Sequence, residues 1–476
     1  MKPIGELKGI GDHNPVMTWR FGADPWALVY NGRVYLYMTG DYPEYNENGE
    51  LNENTYSKIN TITCISSADL VNWTDHGVIH AAGETGAAKW GGNSWAPAAA
   101  YKKINGKDKF FLYFANSGNG IAVLSADSPT GPFTDPINGP LISRHTPTCA
   151  EVTWLFDPAV LTDNDGKSYI YFGGGVPSPD KASDPGTARM AKLGDDMISL
   201  DGDPIAIEGV SYLFEDSGIN RLGDKYYYSY CSNFSMTEEA RKELGFDDGE
   251  IITMVSDKPL GPFKMRKGVL KNPGFFFEKG GNNHHCMFEF NGDLYIAYHA
   301  RILEEKMGFL KGYRSTNIDK MTLDADGGPA VAAGTRKGVE QIGSLDPYKA
   351  VKAVTMGNAS GIDTEREDGP EGGFADSACE NMILTGIKDG SWTCVYGADF
   401  ADKAPSKIIY SVTGKGSGRV SVRTDKPDGE EIALIEVNAD GKADIETTLV
   451  KSVSGKKDIY FVFEGEGYKP VEWKFV

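Results

Sequence analysis

Along the first 340 residues, apolar and polar positions alternate in short runs that come in pairs, each pair joined at a glycine and each second run dense in Tyr and Phe. The pairs are DPWALVYNGRVYLYMTG (24–40), APAAAYKKINGKDKFFLYFANSG (96–118), DPAVLTDNDGKSYIYFGGG (157–175), EDSGINRLGDKYYYSYCSN (215–233) and HHCMFEFNGDLYIAYHAR (284–301). Alternation with a period of two predicts strands, and Gly32, Gly106, Gly166, Gly223 and Gly292 mark the hairpin tips, where Asn-Gly or Asp-Gly supplies the positive φ of a tight turn. After each hairpin comes a third run and, past a turn, a fourth, as in ITCISSADLVNWTDHGVI and GYRSTNIDKMTLDADGGP. Five units of four strands predict an all-β chain that opens with a five-bladed β-propeller over residues 1–342. A β-sandwich or barrel would also place hairpins at such intervals, but neither demands a recurring four-strand unit.

Past residue 343 the aromatic hairpins stop. A stretch rich in Gly, Asp and Glu (GIDTEREDGPEGGFADSACEN) leads into short alternating runs such as KIIYSVTG, GRVSVRT, IALIEVN and DIYFVFEG. Regularly spaced strands with turn signals between them predict a second domain over 343–476, a jelly-roll-like β-sandwich.

Charge and composition narrow the choice of partner. With 48 Lys and Arg against 67 Asp and Glu, the 476-residue chain carries a net charge of −19, which disfavours nucleic acid and anionic membrane surfaces and leaves neutral ligands such as sugars unopposed. No apolar run approaches the roughly 18 residues of a membrane-spanning helix. MKPIGELKGIGDHNP lacks the apolar core of a signal peptide, and Cys64, Cys149, Cys231, Cys286, Cys379 and Cys394 show no metal-type spacing. Free buried thiols and a cytoplasmic location are the expectation, with secretion the alternative if a leader has been trimmed.

The residue opening the first strand of each unit would line the channel where the blades converge. Aligning the five hairpins places Asp24, Ala96, Asp157, Glu215 and His284 there. Asp-Pro is also an ordinary turn dipeptide, and Asp216 is an adjacent rival to Glu215. Three carboxylates in register are nonetheless unexpected at strand positions, where Asp and Glu are depleted and rarely buried unpaired. Glycoside hydrolysis needs one carboxylic acid to protonate the leaving oxygen and one carboxylate to activate water or attack, and a third can hold the acid's pKa high.

These residues resemble glycoside hydrolase family 43, through FGADPWALVYNGRVYLYMTG, NSWAPAAAY, WLFDPAVL, LFEDS and GGNNHHCMFEFNGDLYIAYHAR, in the family's order over the first 300 residues. The resemblance implies an inverting, exo-acting hydrolase that releases arabinofuranose, xylose or both from arabinoxylan oligosaccharides, with Asp24 as base, Asp157 as pKa modulator and Glu215 as acid. It further implies a shallow pocket for one terminal sugar with aromatic walls, for which Trp95, Phe156 and Trp154 are candidates, and an arginine near the base, for which Arg301 is the candidate. Asn283 is a candidate to hold a sugar hydroxyl. His284, with His285 as its neighbour, is implied to face a structural calcium ion, mostly through water. An endo-acting arabinanase and a non-catalytic glycan- or protein-binding propeller are the alternatives.

The segment from about 345 to 476 resembles carbohydrate-binding module family 6 through GIKDGSW, ADFADKAPSKIIYSVTG and GRVSVRTDKPDGEEIALIEV. Lys352 and Val354 stand where that family keeps a calcium-binding glutamate pair, and the loop that usually presents a stacking tryptophan is shortened to GEGYKP, leaving Tyr468. Trp392 and Trp473 match core positions. Packing against the propeller is therefore at least as strong an expectation for this domain as sugar binding.

Overall fold

The computed structural model describes residues 2–367 and 381–476. Blade 1 contains β1 (Ala23–Tyr30), β2 (Arg33–Thr39), β3 (Thr61–Ser67) and β4 (Trp73–His80), and blade 2 contains β5 (Trp95–Ile104), β6 (Lys107–Ala115), β7 (Gly120–Ala126) and β8 (Ile142–Ser143). Blade 3 is built from β9 (Ala159–Thr162), β10 (Ser168–Phe172), β11 (Arg189–Lys192) and β12 (Ile205–Ala206), and blade 4 from β13 (Leu213–Leu222), β14 (Lys225–Ser232), β15 (Ile251–Ser256) and β16 (Lys264–Leu270). Blade 5 has three strands, β17 (His285–Phe290), β18 (Asp293–Ala300) and β19 (Ser315–Met321). The five-bladed propeller is as the repeat predicts.

The second strand of each blade is buried nearly throughout, because neighbouring blades cover both of its faces; this is why those strands read as continuous Tyr, Phe and Ile runs. A fully buried tyrosine sits in each: Tyr37, Tyr113, Tyr171, Tyr228 and Tyr298. In the first three blades the hydroxyl donates to a backbone carbonyl of the following blade, at Pro129 (2.5 Å), Met197 (2.6 Å) and Pro259. Each of these stitches satisfies a buried polar group and fixes the blade spacing.

The fourth strand expected for blade 5 is not formed by the residues after β19, which make isolated bridges, between Leu323 and Pro329 and between Ala332 and Leu270 of β16. The N-terminal segment lies along β19 instead. Val16 N–H donates to Thr316 O (2.9 Å), and the Asn14 amide brackets Ile318 through its N–H (2.8 Å) and carbonyl (3.1 Å). The ring is thus closed by the start of the chain.

The C-terminal strands are β20 (Val351–Lys352), β21 (Thr355–Met356), β22 (Asn358–Ser360), β23 (Asp363–Arg366), β24 (Met382–Thr385), β25 (Trp392–Asp399), β26 (Lys407–Thr424), β27 (Glu431–Asp440), β28 (Ala443–Thr448) and β29 (Lys456–Phe475). They form the expected β-sandwich. Its two long strands, β26 and β29, pair along most of their length, with a shift between Gly414 and Ser417; β26 has β28 as its other neighbour before the shift and β27 after it. Glycine is required at the crossing: a Cβ on Gly418 would lie 1.9 Å from Glu464 O, and one on Gly465 would lie 2.2 Å from Ser417 O. Trp392 and Trp473 are core residues, and Tyr468 is buried too (1% exposed), so it offers no ring for a sugar to stack on.

The two domains share structure. Strand β21 pairs with β4 and becomes a fifth strand of blade 1, and a single apolar cluster joins Leu36, Ile65 and Trp73 of the propeller to Trp392, Tyr460 and Val462 of the sandwich. The Asn72 amide exchanges hydrogen bonds with the Tyr396 backbone (2.8 and 2.7 Å), and Arg20 forms a two-bonded pair with Asp75 while also donating to Thr364 (2.8 Å). Five cysteines are buried and free; Cys379 lies outside the described residues.

Candidate active site

The site is built on a repeated backbone defect. In blade 1 Ala23 pairs with Thr39 and Trp26 with Tyr37, so two residues on β1 face one on β2, and Asp24 sits in this bulge with φ of 48°. The same shift occurs between Trp95 and Ala98 (Ala96, φ 41°) and between Glu215 and Gly218 (Asp216, φ 70°), and Asp157 has φ of 49°. A left-handed non-glycine residue costs on the order of 1–3 kcal/mol and persists where the surrounding structure over-determines it. Bulges of this kind re-aim side chains, here toward the propeller axis.

This geometry corrects the register. The left-handed residues in equivalent positions are Asp24, Ala96, Asp157 and Asp216, with His284 entering blade 5 just ahead of β17 without a bulge, and Glu215 stands one place earlier, level with Trp95 and Phe156. Counting back from the turn glycine misplaces blade 4 because its hairpin differs. Tyr30 pairs with Arg33 and leaves Asn31-Gly32 as the loop, whereas Leu222 pairs with Lys225 and leaves Gly223-Asp224. Glycine is second in the first loop and first in the second, the two patterns expected of type I′ and II′ turns. Glu215 reaches the pocket by belonging to the set that forms its walls.

The pocket itself is narrow, about 120 Å³, and is lined by Asp24, Tyr56, Trp95, Phe156, Asp157, Glu215, Asn282, His284 and Arg314. That is well below the roughly 300–1,000 Å³ of sites for drug-sized ligands and suits a single sugar ring. Trp95 donates its indole N–H to Tyr56 O (3.0 Å), which fixes one aromatic wall, and Phe156 forms another. Trp154 stands behind Phe156, with ring centroids 5.3 Å apart, and does not line the pocket.

Asp24 is held on every side. Its Oδ1 accepts from Arg314 Nη1 (2.9 Å) and lies 3.0 Å from His299 Nδ1, and its Oδ2 accepts from the Thr39 hydroxyl (2.7 Å). Arg314 is clamped by Asp41 through Nε and Nη2 (2.9 Å each) and lies over the Tyr56 ring at 4.8 Å. Burial alone would raise the Asp24 pKa, but Arg314, His284 and His299 outweigh it and hold the carboxyl well below its usual range.

Glu215 is in the opposite situation. It is buried, its Oε1 has no hydrogen-bond partner, and among the described residues no cation forms an ion pair with it. Burial first, then the charges of Asp157 and Asp24, push its pKa well above the carboxylate range. Asp157 is likewise raised by burial and by Asp24, while its Oδ2 accepts from Asp216 N–H (2.9 Å). Asp216 lies behind the pocket, 2.5 Å from His285 Nδ1.

Two residues expected at the sugar do not line the pocket. Arg301 pairs with Glu304 (2.5 Å) and does not line the pocket; the arginine beside Asp24 is Arg314, just ahead of β19. Asn283 is fully buried and donates to Gly249 O (3.0 Å), and its neighbour Asn282 faces the pocket instead. Both misassignments follow from proximity to the repeat. Arg314 lies outside the quoted hairpins, and its only sequence signal is Asp41, an acid just past the end of β2. Tyr56 sits in the β2–β3 connection, where no periodicity marks it.

Around His284 the donors for a cation are few. Asp216 Oδ1 is buried and accepts no hydrogen bond, and His284 Nε2 lies 3.2 Å from it. Among the described residues no group of three or more His, Cys, Asp or Glu is placed to hold a metal. These two atoms fit calcium only as part of a shell completed by water.

Two buried carboxylates of opposite proton affinity in a sugar-sized pocket on a propeller define the class, a glycoside hydrolase. The chain belongs to glycoside hydrolase family 43: the model for glycosyl hydrolases family 43 matches residues 13–329, and that for carbohydrate binding module family 6 matches 352–475. It is similar to the arabinoxylan arabinofuranohydrolase of Bacillus subtilis, 46% identical over 97% of this chain and 91% of the relative. It is also similar to that of Paenibacillus polymyxa, 44% identical over 98% of this chain and 74% of the relative. A crystal structure of a Bacillus subtilis arabinoxylan arabinofuranohydrolase in complex with cellotetraose superimposes with a TM-score of 0.92, covering 99% of both chains at 44% identity.

Proposed function

We propose that the chain is an exo-acting, inverting arabinofuranosidase that removes single arabinofuranose side groups from arabinoxylan or its oligosaccharides. The observation that carries this is the pairing, within one pocket, of a carboxylate locked in its charged form by Arg314 with a buried carboxyl, Glu215, whose Oε1 has no hydrogen-bond partner and which forms no ion pair among the described residues. Glu215 donates its proton to the leaving glycosidic oxygen. Asp24 takes a proton from water on the opposite face of the ring as that water attacks the anomeric carbon, and Asp157 keeps Glu215 protonated by its negative charge. The names of the two relatives similar over nearly the whole chain support arabinoxylan as substrate.

The polymer has a surface to rest on. From Phe156 a file of edge-packed rings, Trp154, Phe214 and Phe234, leads outward at centroid spacings of 5.3, 5.4 and 5.3 Å, and Phe234 is 49% exposed. Apolar sugar faces stack on rings of this kind. A bound calcium ion, held by His284 Nε2 and Asp216 Oδ1 through a mostly aqueous shell, would supply positive charge behind the carboxylates. Melting temperature with and without EDTA tests for it; no change after chelation and no bound calcium by elemental analysis would count against the ion.

Digestion of defined arabinoxylo-oligosaccharides, followed by product analysis, tests the substrate assignment. Free arabinose and an intact xylose backbone are expected. Release of xylose from the non-reducing end would assign β-xylosidase activity to the same pocket, and internal cleavage of linear arabinan would contradict exo action.

A further inference from the structure

Ala96 occupies the one equivalent mouth position that carries neither a carboxylate nor an imidazole, yet it keeps the left-handed backbone of Asp24, Asp157 and Asp216. Alanine gains nothing from that conformation by itself. What the position offers is its N–H, which donates to the Thr39 hydroxyl (2.8 Å), and Thr39 in turn donates to Asp24 Oδ2 (2.7 Å). The same relation recurs without a relay between blades 3 and 4, where the N–H of Asp216 donates directly to Asp157 Oδ2 (2.9 Å). At two points around the ring, then, the bulge N–H of one blade is directed at the carboxylate of the blade before it.

We infer that Thr39 is a positioning residue for the reaction, selecting Oδ2 of Asp24 as the atom that takes the proton from water. The inference rests on Asp24 being the base. Thr39 is fully buried at the end of β2, opposite Ala23, so its side chain has no solvent to turn toward. Because its oxygen is already occupied by the Ala96 N–H, the hydroxyl proton is committed to Asp24. Oδ1 is engaged by Arg314 Nη1 (2.9 Å) and faces His299 Nδ1 (3.0 Å), whereas Oδ2 has Thr39 alone and keeps a lone pair for water. Thr39 thus fixes the carboxylate plane from the side opposite Arg314. It also keeps the reacting oxygen a weaker acceptor than a bare carboxylate oxygen, and the base charged, since a donor to the charged form favours it.

The test compares Thr39→Val, which keeps the shape and removes the hydroxyl, with Thr39→Ser, which keeps the hydroxyl and removes the methyl. On an arabinoxylo-oligosaccharide, Thr39→Val is expected to lose roughly ten- to a hundred-fold in kcat, the loss typical of one hydrogen bond to a charged group, with KM changed by less than about twofold. The acidic limb of its kcat/KM profile should move to higher pH, and Thr39→Ser should stay within about threefold of the parent with an unmoved profile. The reverse order, a parent-like Thr39→Val and an impaired Thr39→Ser, would mean that the methyl group matters and would overturn the inference. If Thr39→Val does not fold, Thr39→Ala takes its place against Thr39→Ser, and equal losses in the two overturn it. Asp24→Asn, assayed alongside, separates the two levels: activity in that variant overturns the base assignment, while its inactivity beside a parent-like Thr39→Val overturns the role of Thr39 alone.

Discussion

Arg314 carries the electrostatics of the pocket, and replacing it with methionine tests this most severely. Methionine has similar reach and no charge, so Asp24 and Asp41 lose three hydrogen bonds of 2.9 Å while staying buried at 4% and 1% exposure. Breaking a buried ion pair by removing one partner costs about 3–5 kcal/mol. At roughly 2.1 cal/mol/K of unfolding entropy per residue, a cooperative unit of 476 residues would lose about 3–5 °C in melting temperature. The sign with pH follows from Asp24. In the parent its folded pKa lies below the unfolded value, so its stabilisation is present above the unfolded pKa and fades as pH falls through the folded one. Without the guanidinium, burial is opposed by His284, His299 and the Thr39 hydroxyl without their strongest ally, so the variant is penalised chiefly near neutral pH and the gap to the parent narrows toward acid. In the same variant the acidic limb of kcat/KM should move to higher pH, with activity near neutrality down by roughly a hundredfold or more, because the base is both disoriented and less fully charged. Calorimetry at several pH values, with a pH–rate profile, reads all three effects. An equal loss of stability at every pH and an unmoved acidic limb would refute the electrostatic role.

Other substitutions separate the remaining roles. Asp157→Asn removes a negative charge that raises the Glu215 pKa, so the alkaline limb of kcat/KM should shift to lower pH while kcat falls. Because the folded pKa of Asp157 is itself raised, its charge costs stability as pH rises past the unfolded value, and the variant should melt at or above the parent's temperature near neutral pH. Arg301→Ala should leave kcat and KM within about twofold of the parent. It should still lower the melting temperature, because the fully buried Glu304 would keep only the N–H groups of Lys311 and Tyr313, a cost of about 1–3 kcal/mol.

The parts of this molecule that repeat were legible in the sequence. Hairpin glycines at regular intervals and aromatic second strands identify the blades because each blade meets the same packing problem, burial on both faces. Asp24 and Asp157 were legible for the same reason. Glu215 lines the pocket, but not from the register position of Asp24: its count to Gly223 matches that of Asp24 to Gly32 only because the two turns place glycine at different loop positions. What breaks the repeat was not legible. Arg314, Asn282 and Tyr56 lie outside the quoted strand pairs or at their edges, and their placement depends on contacts distant in sequence, such as that between Arg314 and Asp41. The closing of blade 5 by residues 14–22 and the addition of β21 to blade 1 likewise join segments that no local pattern connects.

The central claim is that Asp24 and Glu215 act as base and acid from opposite faces of one sugar. Proton NMR of the first turnovers on an arabinoxylo-oligosaccharide, run on the parent, Asp24→Asn and Glu215→Gln, tests it directly. Arabinose should appear first as the β-anomer, inverted from its α-linkage, with the signal reduced by roughly 10² to 10⁴ in each variant. First appearance of the α-anomer, or undiminished release by either variant, would contradict the account.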